Sequence, residues 1–127
     1  MKVYSINEVS SLTDVSPSNL RYYEKEGLLP PIQRNKNGVR IYNETDLEWI
    51  QFIKALRSTD MSIANIKRYV CLFNEGKETV QERKELIQNH KKKVEAEIAE
   101  KQKHLKRVER KLKYYDAIER RIQRMKF

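Results

Sequence analysis

From about Thr79 to Arg124 the chain contains neither Gly nor Pro. At ~1.5 Å per residue such a stretch makes one helix of roughly 65–70 Å. Its apolar side chains recur in two columns. Ile98, Leu105 and Leu112 form one, and Ile87, Val94, Val108, Tyr115 and Ile122 form the other, with Lys101 interrupting the second. The columns lie three and four residues apart, the a/d pattern of a coiled coil. A helix this polar gains little stability alone, because helices in proteins owe most of theirs to packing. Residues 76–127 are therefore expected to pair with a second copy, with Ile87, Val94, Ile98, Leu105, Val108, Leu112 and Tyr115 in the seam. Lys101 either fixes the register of that seam or snorkels out of it.

The remaining residues, 1–75, read as shorter elements. Ser5 with Glu8 is a capping box, and Ile6, Val9 and Leu12 repeat behind it at helical spacing. Asp14 and Val15 make a turn, since Asp tolerates a left-handed backbone. Ser16-Pro17 opens a second helix as N-cap and first residue. Gly27 ends it, and Pro30-Pro31 block its return. Two short helices on a tight turn make a helix-turn-helix. Residues 32–42, "IQRNKNGVRIY", read as a hairpin turning at Asn37-Gly38, since both residues accept positive φ; after the turn Val39 and Ile41 share one face, and Arg40 and Tyr42 the other. A hairpin in that position is a wing. A third helix from about Glu44 to Arg57 carries Leu47, Ile50, Ile53 and Leu56, widened by Trp49 and Phe52. A fourth, capped by Ser62, carries Ile63, Ile66, Tyr69, Val70 and Phe73 and stops near Gly76. The expected fold class is mainly α: a winged helix-turn-helix over 1–75, then a long coiled-coil dimerisation helix over 76–127.

Charge narrows the function. The formal net charge is +9, and charged residues make up 35% of the 127, above the ~25% of an average domain. A basic chain points to a polyanion. Residues 1–75 nevertheless hold 10 Lys and Arg against 9 Asp and Glu, whereas residues 76–127 hold 17 against 9. A nucleic-acid reading of the first part must rest on where its charges sit. Ser18, Arg21, Tyr22 and Lys25 follow helical spacing and share a face, while Leu20 and Tyr23 point the other way. Arg can grip a guanine edge, and Ser, Tyr and Lys suit phosphates. Ser16 and Asn19 stand at the start of the same helix, and the wing adds Arg34, Lys36 and Arg40. Residues 15–42 hold five Lys and Arg against Glu24 and Glu26, so the positive charge is focused there.

Several classes are excluded. There is no Gly-rich phosphate loop, no Ser/His/Asp set and no cluster of metal ligands, so no enzyme, metal or cofactor is expected. No apolar run approaches ~18 residues, and the first ten residues lack a signal-peptide core, so a cytoplasmic location away from membranes is expected. The single cysteine, Cys71, forbids an internal disulfide and fits a reducing compartment.

The string "LRYYEKEGLLPP", followed by "NGVRIY" and "DLEWIQFIKALRSTDMSIANIK", resembles the DNA-binding half of the MerR family of transcriptional regulators over roughly residues 3–75. The resemblance implies a homodimer whose long helices pair antiparallel. It implies binding between two promoter elements with an over-long spacer, and a DNA distortion that an effector changes so that RNA polymerase engages. It puts Arg21 and Tyr22 at the major groove or its backbone, Arg40 and Tyr42 on the DNA side of the wing, and a phosphate at the helix start capped by Ser62. The family usually has Gly where this chain has Asp14 and Asp60.

"WIQFIKALR" and "LFNEGKETVQERKELI" are similar to a short subgroup that includes aldehyde- and thiol-stress regulators, whose reactive cysteine would fall at Ala55. The long helix lacks the cysteines of metal-sensing members, and His90 and His104 lie ~21 Å apart along it. The sequence runs to about where the dimer helix is expected to stop, so a large ligand domain of the multidrug-sensing kind is not expected. Cys71 admits two readings: a redox sensor activated by nearby Lys67 and Arg68, or a buried structural cysteine. The basic C-terminal part admits three: a solvated coiled-coil surface, added DNA affinity, or a surface for an acidic partner or membrane. The rival to a regulatory switch is an architectural or adaptor protein that binds DNA without sensing anything.

Overall fold

A computed structural model describes residues 2–126. Two compact units divide it after Ile87. The first begins with α1, Ile6–Thr13, and α2, Pro17–Lys25. The hairpin follows as β1, Gln33–Arg34, and β2, Arg40–Ile41, paired antiparallel with Gln33 opposite Ile41 and Arg34 opposite Arg40. Then come α3, Glu44–Ser58, α4, Ile63–Glu75, a 3-10 turn at Lys77–Thr79, and α5, Val80–Met125. The chain is mainly helical, with a small hairpin and a C-terminal helix of 46 residues.

Local chemistry sets the helix starts. Ser5 and Asn43 each accept from a backbone N–H three residues on, and Glu8 and Asp46 return a bond to the cap backbone. Ser16 and Ser62 accept from Asn19 N and Asn65 N, each at 3.1 Å. Both turns that carry Asp in place of Gly are left-handed, with φ of 58° at Asp14 and 66° at Asp60. Asp bears this backbone at modest cost because its short polar side chain can bond locally.

The core of the first unit runs through all its helices. Val9, Leu20, Leu28, Tyr42, Ile50, Ile53 and Ile66 are fully buried, and each large apolar side chain so placed contributes ~1.5–3 kcal/mol before entropy is counted. The long α3 is the hub. Its polar edge also caps the loops around it. Trp49 Nε1 donates to Leu28 O at 2.8 Å, Lys54 Nζ to Thr13 O at 2.9 Å, and Arg57 Nη1 to Met61 O at 2.8 Å. Carbonyls that the helix ends and turns leave orphaned are satisfied from one element.

Two expectations need correction. Leu12 is exposed, and Thr13 is buried instead. The Thr13 hydroxyl donates to Val9 O at 2.8 Å, which removes the cost of burying it. In the hairpin turn only Gly38 has positive φ, at 77°. The turn is a three-residue connection, Lys36 to Gly38, closed by Asn35 N donating to Val39 O at 2.9 Å and Gly38 N to Asn35 O at 3.0 Å. Asn35 Oδ1 also accepts from Asn37 N and Val39 N. That side-chain bond holds the wider turn, a common hairpin alternative to the two-residue one.

Gly76, next to the expected division at residues 75/76, has a φ of 110°. The first compact unit nevertheless continues to Ile87, because Leu86 and Ile87 on the first turns of α5 pack against its core. Thr79 anchors this junction by donating to Leu72 O and Gly76 O, and Arg83 adds bonds to Thr79 Oγ1 and Gly76 O. From Gln88 onward α5 is a helix without a buried residue.

Candidate nucleic-acid interface

One face of α2 packs and the other is open. Leu20 and Tyr23 are buried, while Ser18, Asn19, Arg21, Tyr22 and Lys25 are exposed. Among the described residues the side chains of Ser18, Asn19, Arg21, Lys25 and Lys36 have no hydrogen-bonding partner. Ser16 is exposed too, but its oxygen is already committed to capping α2. Ser62 likewise caps α4.

The wing is fastened to α2 through one carboxylate. Arg40 Nε donates to Glu24 Oε1 at 2.6 Å, and Arg34 Nη2 lies 3.9 Å from Glu24 Oε2. Arg34 also donates to Gly38 O at 3.0 Å, which stiffens the hairpin. Two of the three wing cations thus converge on the helix that carries Arg21 and Lys25, whereas Lys36 projects from the turn.

Tyr42 is the exception, and a correction. Alternation put it beside Arg40, and the resemblance put it on the DNA side, but it is fully buried. The reason is a pairing the sequence did not reveal: Tyr4 forms a bridge with Tyr42, N to O at 2.8 and 2.9 Å in the two directions. This extra rung lays that end of the wing on the core. The Tyr42 hydroxyl has no partner among the described residues. Burial pushes its pKa upward, with Glu24 adding to the effect and Arg40 and Arg21 opposing it. Tyr42 supports the wing from beneath, with its side chain out of water.

A groove of about 340 Å³ opens beside α2, lined by Asp14, Val15, Asn19, Tyr22, Tyr23, Lys54, Arg57 and Ser58. It brings two cations of α3 next to the open face of α2. Sequence reasoning missed Lys54 and Arg57. Their spacing with Ser58 at i, i+3 and i+4 could have flagged a shared polar face. Each spends one donor on a carbonyl, and Lys54 sits 3.9 Å from Asp14.

Cys71 is exposed on α4. The reading of a buried structural cysteine is therefore set aside. Its neighbouring cations are engaged elsewhere, Lys67 with Glu26 at 3.2 Å and Arg68 with Glu82 at 3.8 Å. No group of three or more His, Cys, Asp or Glu among the described residues could hold a metal ion. No helix among them is long and apolar enough to cross a membrane.

Along α5 the expected seam residues are present as an open stripe in the single chain. Ile98, Leu105, Val108, Leu112, Tyr115 and Ile122 are each about half exposed, and Val94 is intermediate. Ile87 differs, since it packs against the core of the first unit.

Comparison with known proteins places this geometry. Residues 4–71 match the family model described as MerR HTH family regulatory protein, and residues 47–110 match the model described as MerR, DNA binding. The HTH-type transcriptional regulator AdhR of Bacillus subtilis is 38% identical over 90 residues, covering 71% of this chain and 64% of AdhR. An HTH-type transcriptional regulator of Haemophilus influenzae is 36% identical over 112 residues, covering 88% of this chain and 83% of that protein. The crystal structure of HiNmlR, described as a MerR family regulator lacking the sensor domain and bound to promoter DNA, superposes with a TM-score of 0.84 at 35% identity, covering 91% of each chain.

Proposed function

The chain belongs to the MerR family of DNA-binding HTH transcriptional regulators, and from that premise we propose that it works as a homodimer that distorts a long-spacer promoter and switches transcription when an effector or stress acts on it. The observation that carries the DNA-contact part is the open face of α2, where Arg21, Tyr22 and Lys25 stand exposed beside a wing fastened by Glu24. Arg21 reads a base edge, Tyr22, Lys25, Ser18 and Lys36 take phosphates, and Arg34 and Arg40 set the angle of the wing. The half-exposed heptad stripe of α5 supports pairing of two copies, since water-exposed Leu and Ile at this spacing are covered in a coiled coil. A dimer reads a two-fold site, and bending that site costs energy which the contacts of both halves repay. RNA polymerase is then an indirect partner, reached through the reshaped promoter, and the setting is the bacterial cytoplasm.

Arg21→Ala tests the contact. The variant should lose ~1–3 kcal/mol of affinity for the DNA upstream of its own coding sequence and show relaxed base preference there. Unchanged affinity and preference would remove Arg21 from the readout. Transcription from a long-spacer promoter that never responds to the protein under any stress would leave DNA binding without a switch, as in an architectural protein.

A further inference from the structure

Between Lys92 and Arg124 the charges of α5 are largely segregated. With Ile98 and Leu105 at heptad position a and Val94 and Val108 at d, Glu95, Glu97, Glu109 and Asp116 fall at e and g, beside the apolar stripe. From Lys92 to Arg124 most of the cations fall opposite, the exceptions being Lys101 at d and Lys111 at g. Position b carries Lys92, Lys106, Lys113 and Arg120. Position f carries Lys103, Arg110 and Arg124. Position c carries Lys93, Arg107 and Arg121, with Glu100 as the one carboxylate of the face between Lys92 and Arg124. At 3.6 residues per turn these three positions span ~100° of the helix surface, centred opposite the a/d columns.

All of these cations are exposed. Among the described residues none of them makes an ion pair. Arg120 donates only to the Asp116 carbonyl, at 3.4 Å, and Glu100 is taken by His104 at 3.3 Å. Lys103, Lys106, Arg107 and Arg110 line one shallow hollow. From Lys92 to Arg124 the stripe is ~48 Å long. The coiled-coil pairing cannot use this face, because it points away from the seam.

From this we propose that the outward face of α5 binds the phosphates of a second DNA duplex, without regard to sequence. The length and charge fit: ~48 Å of B-DNA carries one negative charge per ~1.7 Å of axis. A protein partner fits less well, since protein interfaces are organised around buried aromatic and apolar anchors, and Tyr114 is the one large apolar side chain at these positions. A bilayer fits less well too. It would take the apolar face, and so bring Glu95, Glu97, Glu109 and Asp116 to an anionic surface. This goes beyond promoter recognition, because it gives one protein two DNA sites and allows it to bridge duplexes.

The test uses the full-length protein on an immobilised fragment from upstream of its own coding sequence, followed by a labelled random-sequence duplex of ~30 base pairs. The wild-type protein should retain the random duplex at 50 mM salt and release it on the order of 100-fold more weakly bound at 200 mM, the loss expected for about four phosphate contacts. The combined variant K103Q/K106Q/R107Q/R110Q should stay on the fragment within ~2-fold and lose capture of the second duplex. Gln keeps the helix, which circular dichroism checks. Arg21→Ala should do the reverse, weakening the first step alone. No capture by the wild-type protein, or equal capture by the combined variant, overturns the proposal. So does retention of anionic vesicles or polyglutamate under conditions where the duplex is not retained. If the wild-type protein fails to hold the fragment, the promoter reading falls instead. The stripe is then judged by direct binding of the random duplex to wild-type and combined variant, where equal affinities overturn it.

Discussion

The winged domain and the long helix are both built from amphipathic helices, yet they are stabilised differently. In the domain the apolar side of α3 meets α1 and α4 and shares one core with Leu20, Leu28 and Tyr42, so Ile50 and Ile53 leave water entirely. In α5 beyond Gln88 the same side-chain types stay half exposed, because nothing among the described residues covers them. Apolar periodicity is therefore only a demand for burial. Short helices joined by turns meet it within one chain, whereas an unbroken helix of 46 residues has no turn by which to fold back on itself.

That contrast can be broken at either end. The largest effect is expected for the doubly charged seam variant Leu105→Asp/Leu112→Asp. It should raise the dimer dissociation constant by at least ~1,000-fold, because carboxylates would have to be buried in both copies. Sedimentation would measure this, and thermal melting should show the winged domain still folded; a variant that remains dimeric would show that the stripe is not the seam. Ile53→Ala should do the opposite, destabilising the domain by ~3–4 kcal/mol in urea titration while leaving the oligomeric state of folded protein unchanged. A loss below ~1 kcal/mol would mean that the hub collapses around the deletion.

Smaller effects sharpen the picture. Ser62→Ala removes the cap of α4 and should cost ~1 kcal/mol, a loss that Ser62→Gly should largely avoid. The smallest effect expected is a pH dependence at Asp46. Burial raises its carboxyl above the usual range, and the bond from the Asn43 backbone N–H opposes this only partly. The folded state thus binds this proton more tightly than the unfolded state does. Its contribution is favourable below the unfolded carboxylate range, ~3.9, and is lost as pH rises through the raised value. Asp46→Asn keeps an acceptor for the capping box and removes that loss, so its stability should gain on the parent's as pH rises from the unfolded carboxylate range through the raised value, in parallel denaturation curves. Parallel profiles would show that Asp46 titrates alike in both states.

Much of this was legible beforehand because it is local. Ser5, Ser16, Asn43 and Ser62 cap the helices through bonds that span three residues. The open face of α2 follows from helical spacing alone, and Arg21, Tyr22 and Lys25 lie where that spacing puts them. What stayed illegible crosses the chain. Tyr42 looked like a surface residue of an alternating strand until Tyr4, far away in sequence, paired with its backbone. Lys54 and Arg57 looked like ordinary helix charges, and only the tertiary fold sets them in one groove with Asn19, Tyr22 and Tyr23.

The sequence by itself determined the order and ends of the helices, the heptad stripe, and the side of α5 on which its cations lie, since each depends on bonds or angles within a few residues. Only the tertiary structure decided that Tyr42 is buried, that Cys71 is exposed, and that Glu24 gathers the wing arginines. Those outcomes depend on which distant surfaces exclude water from one another, and no local spacing encodes that.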